Sequence, residues 1–438
     1  MNVSGKQIVV LGLGESGRAA AELLLNQGAT VVIRDSQLNE RIRQLAQRLG
    51  TRGARIELGE TSFSPCRFDL GILSPGIDPS RPLVAQLRQQ QVPLLGELEL
   101  AFRFCQAPVV AITGTNGKST TTELAAALLK AGGKRAVACG NLGPPFSDIA
   151  TQSADLDVAV VETSSFQLET IDTFAPRVAV HLNLTPDHLD RYPNMAAYAA
   201  AKLRIFENQT PSDFAIVNAA LDLPPLRART ITFSAFGLPA DYTFHNGWLT
   251  AHGQPVLEQT RTFLSGPHNA ENQLAALAIA DLFAVDRFAA IEALCAYRPL
   301  PHRCELVREL DGVRYINDSK GTNIDALEKA LLAQPHPIIL IAGGKDKGVD
   351  FAPLKPLLSQ KVTAAILIGE MQSALLRAWG QTIPCHRALD LPDAVAQARS
   401  LARPGSTVLL SPGCSSYDMF KNFEERGNLF RQLVIDLT

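Results

Sequence analysis

No apolar run in this chain approaches the roughly 20 residues that a membrane-spanning helix requires, so an integral membrane protein is not expected. Charge of one sign is also missing. There are 41 Lys and Arg against 43 Asp and Glu, a formal charge of −2 over 438 residues, with no basic tract and no long acidic block. That removes the electrostatic footprint of a nucleic-acid binder and the signature of a charged, disordered tail. Low-complexity tracts are absent, as is any sequence repeat beyond a recurring strand–helix alternation. Cysteine is sparse and unpaired in pattern. The seven residues Cys66, Cys105, Cys139, Cys295, Cys304, Cys385 and Cys414 form no C-x-x-C pair. This argues against a disulfide scaffold or a zinc site and for a reducing compartment. Met1 to Gln7 is polar and passes directly into an apolar strand, without the pattern of a secretory signal. The expectation is a cytoplasmic, monomeric protein with neither nucleic-acid nor membrane partners.

What is present is α/β alternation in three blocks. The first opens on Gln7-Ile8-Val9-Val10-Leu11, continues through Thr30–Ile33 and Leu70–Leu73, and fades near Gly96 before a helical stretch at Glu97–Phe104. The second opens at Pro108, with strands expected near Val158–Val161, Val178–Leu182 and Phe214–Asn218. Short alternating runs at Thr230–Phe233 and Tyr242–Phe244 then predict small antiparallel strands, and residues 269–283 predict a helix. The third follows Arg298-Pro299-Leu300-Pro301. Its Asp311-Gly312 pair, between Leu306–Leu310 and Val313–Ile316, predicts a hairpin, and buried parallel strands are expected at Ile338–Ile341, Ala364–Ile368 and Val408–Leu410. Domains are therefore expected at 1–97, 98–299 and 300–438.

The chemistry concentrates where strands end. Thr113-Gly114-Thr115-Asn116-Gly117-Lys118-Ser119-Thr120 lies between a strand and an alanine-rich helix, the context of a phosphate loop. Backbone N–H groups and the helix dipole face an anion there. Lys118 adds a point charge, and Ser119 or Thr120 offers an oxygen to magnesium. Position 112 holds Ile where the common pattern has glycine, so the loop is a shortened variant. The first strand runs into Gly12-Leu13-Gly14-Glu15-Ser16-Gly17, with Asp35 ending the next strand. This G-x-G-x-x-G fits a dinucleotide cofactor such as NAD, and equally a Rossmann-like domain gripping another nucleotide diphosphate. Ser74-Pro75-Gly76 follows a strand of the same sheet. Glu162, at the end of a buried strand, would emerge beside the phosphate loop in a parallel sheet and suits magnesium. His188, in Asp187-His188-Leu189-Asp190, suits a second metal or a phosphate contact. Lys202, within Ala199-Ala200-Ala201-Lys202, reads on local propensity as a solvated helix lysine. His302-Arg303, Asp318-Ser319-Lys320-Gly321-Thr322, Gly343–Gly348 and Ser411–Ser416 supply cations and ligand-facing loops to the third block. Cys414 lacks a neighbouring histidine and is not expected to be a nucleophile.

TGTNGKST (113–120), ETSSFQLET (162–170), NLTPDHLDRYP (183–193), AAAKLRIFEN (199–208), LPHR (300–303), NDSKGTN (317–323) and SPGCSSYDMFKNFEERG (411–427) occur in that order. The whole chain thereby resembles the Mur ligases, and SSFQLE and DHLDRYP are similar to the member that adds D-glutamate. The resemblance implies three domains: an N-terminal Rossmann-like domain, a central P-loop ATPase-like α/β domain with small antiparallel strands, and a C-terminal Rossmann-like domain. Folylpolyglutamate synthetase shares the two ATP-handling domains but lacks the first. The implied activity is ATP-dependent joining of D-glutamate to UDP-N-acetylmuramoyl-L-alanine through an acyl phosphate, with ATP and two Mg2+ ions as the expected cofactors.

By the same resemblance, Glu15, Ser16, Asp35, Ser74, Gly76 and Asn141 would contact the UDP substrate. Gly114, Thr115, Asn116, Gly117, Lys118, Ser119, Thr120, Asn272, Arg303, Asp318 and Lys320 would bind ATP. Thr322, Lys347, Ser416 and Phe423 would form the D-glutamate pocket. Lys118, Glu162, His188 and Lys202 would serve catalysis, with Ser119, Glu162, His188 and a carbamylated Lys202 toward metal. Gln37, Glu15 and Tyr417 depart from the family pattern. Three other classes remain open on residues alone: a nicotinamide oxidoreductase using residues 12–17, a Mur-type ligase for another amino acid, and a non-catalytic nucleotide-binding switch.

Overall fold

The computed structural model describes residues 1–59, 67–78, 81–189, 191–346 and 348–438, and all counts below refer to these. The first sheet contains β1 (Gln7–Leu11), β2 (Thr30–Asp35), β3 (Arg55–Leu58), β4 (Leu70–Leu73) and β5 (Leu94–Gly96). Their order is β3-β2-β1-β4-β5 and every pairing is parallel. Continuous Val, Ile and Leu runs suit strands covered on both faces. All parallel strands end at one edge, so the loops after β1 and β4 emerge together as the switch-point rule requires.

The central sheet contains β6 (Val109–Thr113), β7 (Ala136–Gly140), β8 (Val158–Glu162), β9 (Val178–His181), β10 (Phe214–Asn218), β11 (Arg229–Ser234), β12 (Tyr242–His245), β13 (Trp248–Ala251) and β14 (Gln254–Glu258). Its order is β14-β13-β12-β11-β10-β9-β6-β8-β7. The residues expected as an antiparallel strand at Thr230–Phe233 are instead parallel to β10, and β11 also pairs in parallel with β12. Only β12, β13 and β14 form an antiparallel meander. Burial along β11 rises from exposed Arg229 and Thr230 to buried Phe233 and Ser234 instead of alternating. Strand direction depends on the connection through residues 219–228, which the run Thr230–Phe233 does not encode.

The third sheet contains β15 (Glu305–Leu310), β16 (Val313–Asn317), β17 (Ile338–Gly343), β18 (Val362–Ile368), β19 (Cys385–Arg387) and β20 (Thr407–Leu410), ordered β15-β16-β20-β17-β18-β19. The expected hairpin is present: β15 and β16 are antiparallel, and Asp311 and Gly312 have φ of 52° and 72°. Positive φ at both turn residues matches the twist of a two-residue hairpin. The other pairings are parallel.

The described chain falls into two compact units. One comprises Met1–Asn183, Tyr198–Glu258 and Glu271–Cys295; the other comprises Leu184–Ala197, Gln259–Ala270 and Ala296–Thr438. Within the first, one apolar core runs from Ile8 and Val10 through Leu98, Leu100 and Phe146 to Ala159 and Ala179. The helix Glu97–Phe104 is fastened by Glu99, whose buried carboxylate accepts from the backbone N of Asp172, Thr173 and Phe174 at 2.9–3.1 Å. In the second unit, separate apolar clusters cover the two faces of the third sheet. No helix among the described residues is long and apolar enough to cross a membrane.

Candidate active site

The phosphate loop hangs from β6, whose five residues are all buried between β8 and β9. Gly117 has φ 83° and caps the helix Lys118–Ala131. Glycine tolerates that left-handed conformation without Cβ strain. The first N–H groups of the helix lack intrahelical acceptors and form an anion site. Lys118 Nζ lies 3.0 Å from Gly114 O and 2.8 Å from Thr115 O, at the mouth of its own loop. Asn183 Oδ1 accepts from Thr115 N at 3.1 Å and Asn116 N at 2.9 Å, and its Nδ2 donates to Asn116 O at 3.1 Å. Asn272 Oδ1 accepts from Thr121 Oγ1 at 3.1 Å, and it would lie 2.3 Å from a Cβ on Gly117. Asn272 therefore packs directly on the loop where it was expected to serve ATP. Ser119 and Thr120 begin the helix and are buried.

Glu162 ends β8 in register with Ile112 of β6. The parallel sheet thus brings it to the loop edge, as expected. It is 2% exposed. Asn141 grips it twice, through Nδ2 to Oε1 at 2.7 Å and through its backbone N to Glu162 O at 2.9 Å. A residue assigned to the sugar end of the substrate is thus also the support of a prospective metal ligand. Ser119 and Glu162 offer hard oxygen donors suited to Mg2+. No group of three or more His, Cys, Asp or Glu among the described residues is placed to hold a metal.

The local reading of Lys202 requires correction. It lies in the helix Met195–Leu203 but is only 2% exposed. Its Nζ donates to Gly114 O at 2.8 Å and lies 4.7 Å from the Tyr198 ring centroid. Helix propensity could not report that this face is turned onto the phosphate loop. Tyr198 Oη is also 3.3 Å from Thr115 Oγ1. His181, which sequence reasoning passed over, ends β9 opposite Thr113 and is 1% exposed. Burial, aided by the charge of Lys202, pulls its pKa down to about 3, so it is neutral at physiological pH.

At the first sheet, glycine is required by close approach. A Cβ on Gly17 would lie 1.8 Å from Gly12 O, and one on Gly12, where φ is 89°, would lie 3.0 Å from Ser74 Cβ. Ser74 Oγ donates to Gly12 O at 2.9 Å. Asp35 Oδ2 accepts from Leu13 N at 2.7 Å and Oδ1 from Gln37 N at 2.8 Å. Asp35 and Ser74 therefore shape the loop in this structure. Glu15 pairs with Arg41 at 2.7 Å and Arg18 at 3.0 Å. The Arg41 hydrogen bond lowers its pKa most, so the acidic departure at Glu15 is electrostatically countered. Ser16 is half-buried in the first turn of the helix Glu15–Asn26, and Gly76 is exposed in the turn after β4.

In the second unit, the loops after β16 and β20 carry the expected third-block residues. Asp318 Oδ2 accepts from Ser411 Oγ at 2.7 Å and Oδ1 from Cys304 N at 3.2 Å. Burial raises its pKa to about 6 against those two donors. A Cβ on Gly321 would lie 2.3 Å from Asp318 Oδ2, which explains the glycine after Lys320. Lys320 Nζ lies 4.7 Å from the Phe423 ring centroid, joining an expected ATP residue to an expected amino-acid residue. Half-buried Thr322 donates its N–H to Lys320 O at 2.9 Å, and Ser416 is buried. Arg303 is half-buried beside His302, whose Nδ1 is 2.9 Å from Asn317 Nδ2. His188 has φ 54°, and its backbone N donates to Asp187 Oδ1 at 2.9 Å. Asp187 Oδ2 in turn accepts from Asn323 Nδ2 at 3.0 Å. A non-glycine residue held at positive φ is uncommon and fits a functional position. Lys347 and Asp190 lie outside the described residues. Tyr417 is 69% exposed.

Sequence reasoning missed Asn183, Tyr198, His181 and the buried Arg426. Asn183 opens one recognised segment and Tyr198 precedes another, but their hydrogen bonds reach residues 67–83 positions away in the chain. Known proteins place these features in a family. Profiles of the Mur ligase MurD-like N-terminal domain, the Mur ligase middle domain and the Mur ligase glutamate ligase domain match residues 6–96, 112–280 and 302–414. The UDP-N-acetylmuramoylalanine–D-glutamate ligase of Syntrophotalea carbinolica is 44% identical over 98% of each chain. That of Myxococcus xanthus is 43% identical over 99% of this chain and 98% of its own. Among solved structures, the UDP-N-acetylmuramate–alanine ligase of Thermotoga maritima covers 98% of this chain and 99% of its own, with a TM-score of 0.63 and 18% identity. The MurF ligase of Thermotoga maritima in complex with ADP gives the same score and identity over 99% of this chain and 96% of its own. These structures share the fold, and the full-length sequence relatives settle membership: the chain belongs to the Mur ligase family.

Proposed function

We infer that the chain is an ATP-dependent ligase of peptidoglycan precursor synthesis, joining D-glutamate to UDP-N-acetylmuramoyl-L-alanine with release of ADP and phosphate. The observation that carries this conclusion is 44% identity to a D-glutamate ligase across 98% of both chains. Residues 1–97 are assigned to the UDP substrate, 98–299 to ATP and 300–438 to the amino acid. The protein is assigned to the cytoplasm as a monomer.

A free carboxylate resists amide formation because its leaving group would be oxide. Transfer of the γ-phosphoryl of ATP to the alanyl carboxylate makes an acyl phosphate and ADP. The D-glutamate amine then adds to the carbonyl carbon, and the tetrahedral adduct expels phosphate as the amine proton passes to a base. Gly114, Thr115, Asn116, Gly117 and Thr120 form the loop around the triphosphate, with the N–H groups at the helix start facing its phosphates and Asn272 behind the loop. Lys118, Arg303 and Lys320 offset negative charge as phosphoryl transfer proceeds. Asp318 would orient ATP. Ser119 and Glu162 would hold one Mg2+, and His188 with a carbamylated Lys202 a second; the ions supply screening of phosphate charge. Asn141 holds Glu162 in its rotamer. Glu15, Ser16, Asp35, Ser74 and Gly76 shape the diphosphate loop, and Thr322, Lys347, Ser416 and Phe423 receive D-glutamate.

Phosphate release from ATP is the test, with the UDP-muramoyl-alanine acceptor and D-glutamate, L-lysine or diaminopimelate supplied singly. Stimulation by D-glutamate alone is expected, and Lys118→Ala should abolish it. Equal stimulation by all three would overturn the amino-acid assignment, and full activity of Lys118→Ala would overturn the role of the loop.

A further inference from the structure

Arg426 closes the first turn of the helix Phe423–Ile435, a cation directly after Glu424 and Glu425. Its side chain is 0% exposed. Nε donates to Ser319 Oγ at 3.0 Å, Nη2 to Ser319 O at 2.7 Å, and both Nη1 and Nη2 reach Cys414 O at 3.4 Å. Ser319 Oγ passes the chain of bonds on to Phe423 O at 2.8 Å. A Cβ on Gly344 would lie 3.4 Å from Nη1 and 2.2 Å from Ser415 O. The loops after β16, β17 and β20 therefore converge on one guanidinium.

What the guanidinium lacks is equally informative. Among the described residues no carboxylate forms an ion pair with it, whereas Arg18, Arg103 and Arg399 each have one, and Asp418 and Asp318 act on it only at longer range. A buried charge is normally paired, because desolvation is costly and neutral carbonyls repay only part of it. Its position in the first turn adds an unfavourable interaction with the helix dipole. Burial draws its pKa down only to about 10, so it remains a cation at neutral pH. This charge sits directly behind the loops that bear Lys320, Thr322, Ser416 and Phe423.

Resting on the D-glutamate ligase assignment above, we propose that Arg426 is a positioning and specificity residue. It straps the loops after β16 and β20 together and gives their ligand face a positive field that selects an amino acid with a second carboxylate. The guanidinium is fully enclosed and acts through Ser319, Cys414 and its charge without touching substrate. A dicarboxylate supplies negative charge on the ligand face of these loops, beyond that of Asp318 and Asp418, which act on the guanidinium from within the fold without pairing with it.

The test compares wild type, Arg426→Met and Arg426→Lys in steady state, with D-glutamate and its neutral amide D-glutamine as acceptors. Arg426→Met should raise the KM for D-glutamate at least 10-fold, leave the KM for ATP within about threefold, and cut the preference for D-glutamate over D-glutamine at least 10-fold. Arg426→Lys, which keeps charge but loses the planar fork, should recover that preference while the KM stays elevated. A folded Arg426→Met enzyme with unchanged preference, or one in which every KM rises equally, would overturn the proposal. If both variants fail to fold, Ser319→Ala decides: an unchanged KM for D-glutamate overturns it, and a selective rise supports it. Lack of D-glutamate stimulation in the wild type would instead refute the ligase assignment itself.

Discussion

Replacing Asn141 by Ala separates two roles that meet at one side chain. Its amide donates to Glu162 Oε1 at 2.7 Å, and its backbone N donates to Glu162 O at 2.9 Å. The substitution removes only the first bond, so the path of the chain past Glu162 is retained. A hydrogen bond to a charged group contributes about 1.5–3 kcal/mol. Loss of a group that orients a metal ligand typically weakens metal affinity about 10–100-fold, equivalent to roughly 1.4–2.7 kcal/mol. The two estimates agree because both describe a carboxylate released from its fixed rotamer. The expected outcome is a rise of about 10–100-fold in the Mg2+ concentration giving half-maximal phosphate release, measured at saturating ATP and acceptor. Thermal stability should change little by comparison. If half-saturation by Mg2+ stays within about twofold while the KM for the UDP substrate rises, Asn141 acts on substrate alone and the reasoning fails.

Three further perturbations test other parts of the fold. Gly17→Ala would place a Cβ 1.8 Å from Gly12 O, so it should abolish retention of the UDP substrate while ATP binding persists; calorimetric titration with each nucleotide reports both. Glu99→Ala leaves buried N–H groups of residues 172–174 without their acceptor and Arg103 without its partner, and should cost about 3–5 kcal/mol in denaturant unfolding. A loss below roughly 1 kcal/mol would show that water replaces the carboxylate at little cost. Asp318 has its pKa raised by burial from 3.8 to about 6. Its contribution to stability is full below 3.8 and is lost as pH rises through about 6, a change of roughly 3 kcal/mol. Asp318→Asn should flatten that segment of the stability–pH curve, and an acid limb of kcat/KM near pH 6 should disappear with it.

The parallel strands and the phosphate loop were legible because each is a local pattern. Val109–Ile112 is apolar without alternation, which is what a strand flanked on both sides looks like, and Gly117-Lys118-Ser119 marks the turn into a helix. The hairpin at Asp311-Gly312 was legible for the same reason, since the turn residues themselves demand positive φ. The direction of β11 was not legible. Its residues mark a strand without marking its sense, and parallel pairing to β10 depends on how residues 219–228 return across the sheet.

The site divides along the same line. Gly114, Lys118 and Glu162 could be placed from the ends of neighbouring strands, because a parallel sheet brings successive strand ends to one edge. Lys202 and Arg426 could not, and for one physical reason. Lys and Arg are seldom fully buried without a partner, so a run such as Ala199-Ala200-Ala201-Lys202 or Glu424-Glu425-Arg426 reads as a solvated helix face. The structure reverses both expectations by burying them against backbone carbonyls: Gly114 O accepts from Lys202, and Ser319 O and Cys414 O from Arg426. Carbonyl acceptors satisfy such donors without announcing themselves in sequence, because a backbone oxygen belongs to every residue type. Each of these contacts joins positions far apart in the chain, 88 residues for Lys202 and Gly114 and 107 for Arg426 and Ser319. Long-range contacts of that kind, rather than any local preference, bury the two side chains, and they are what a linear pattern does not contain.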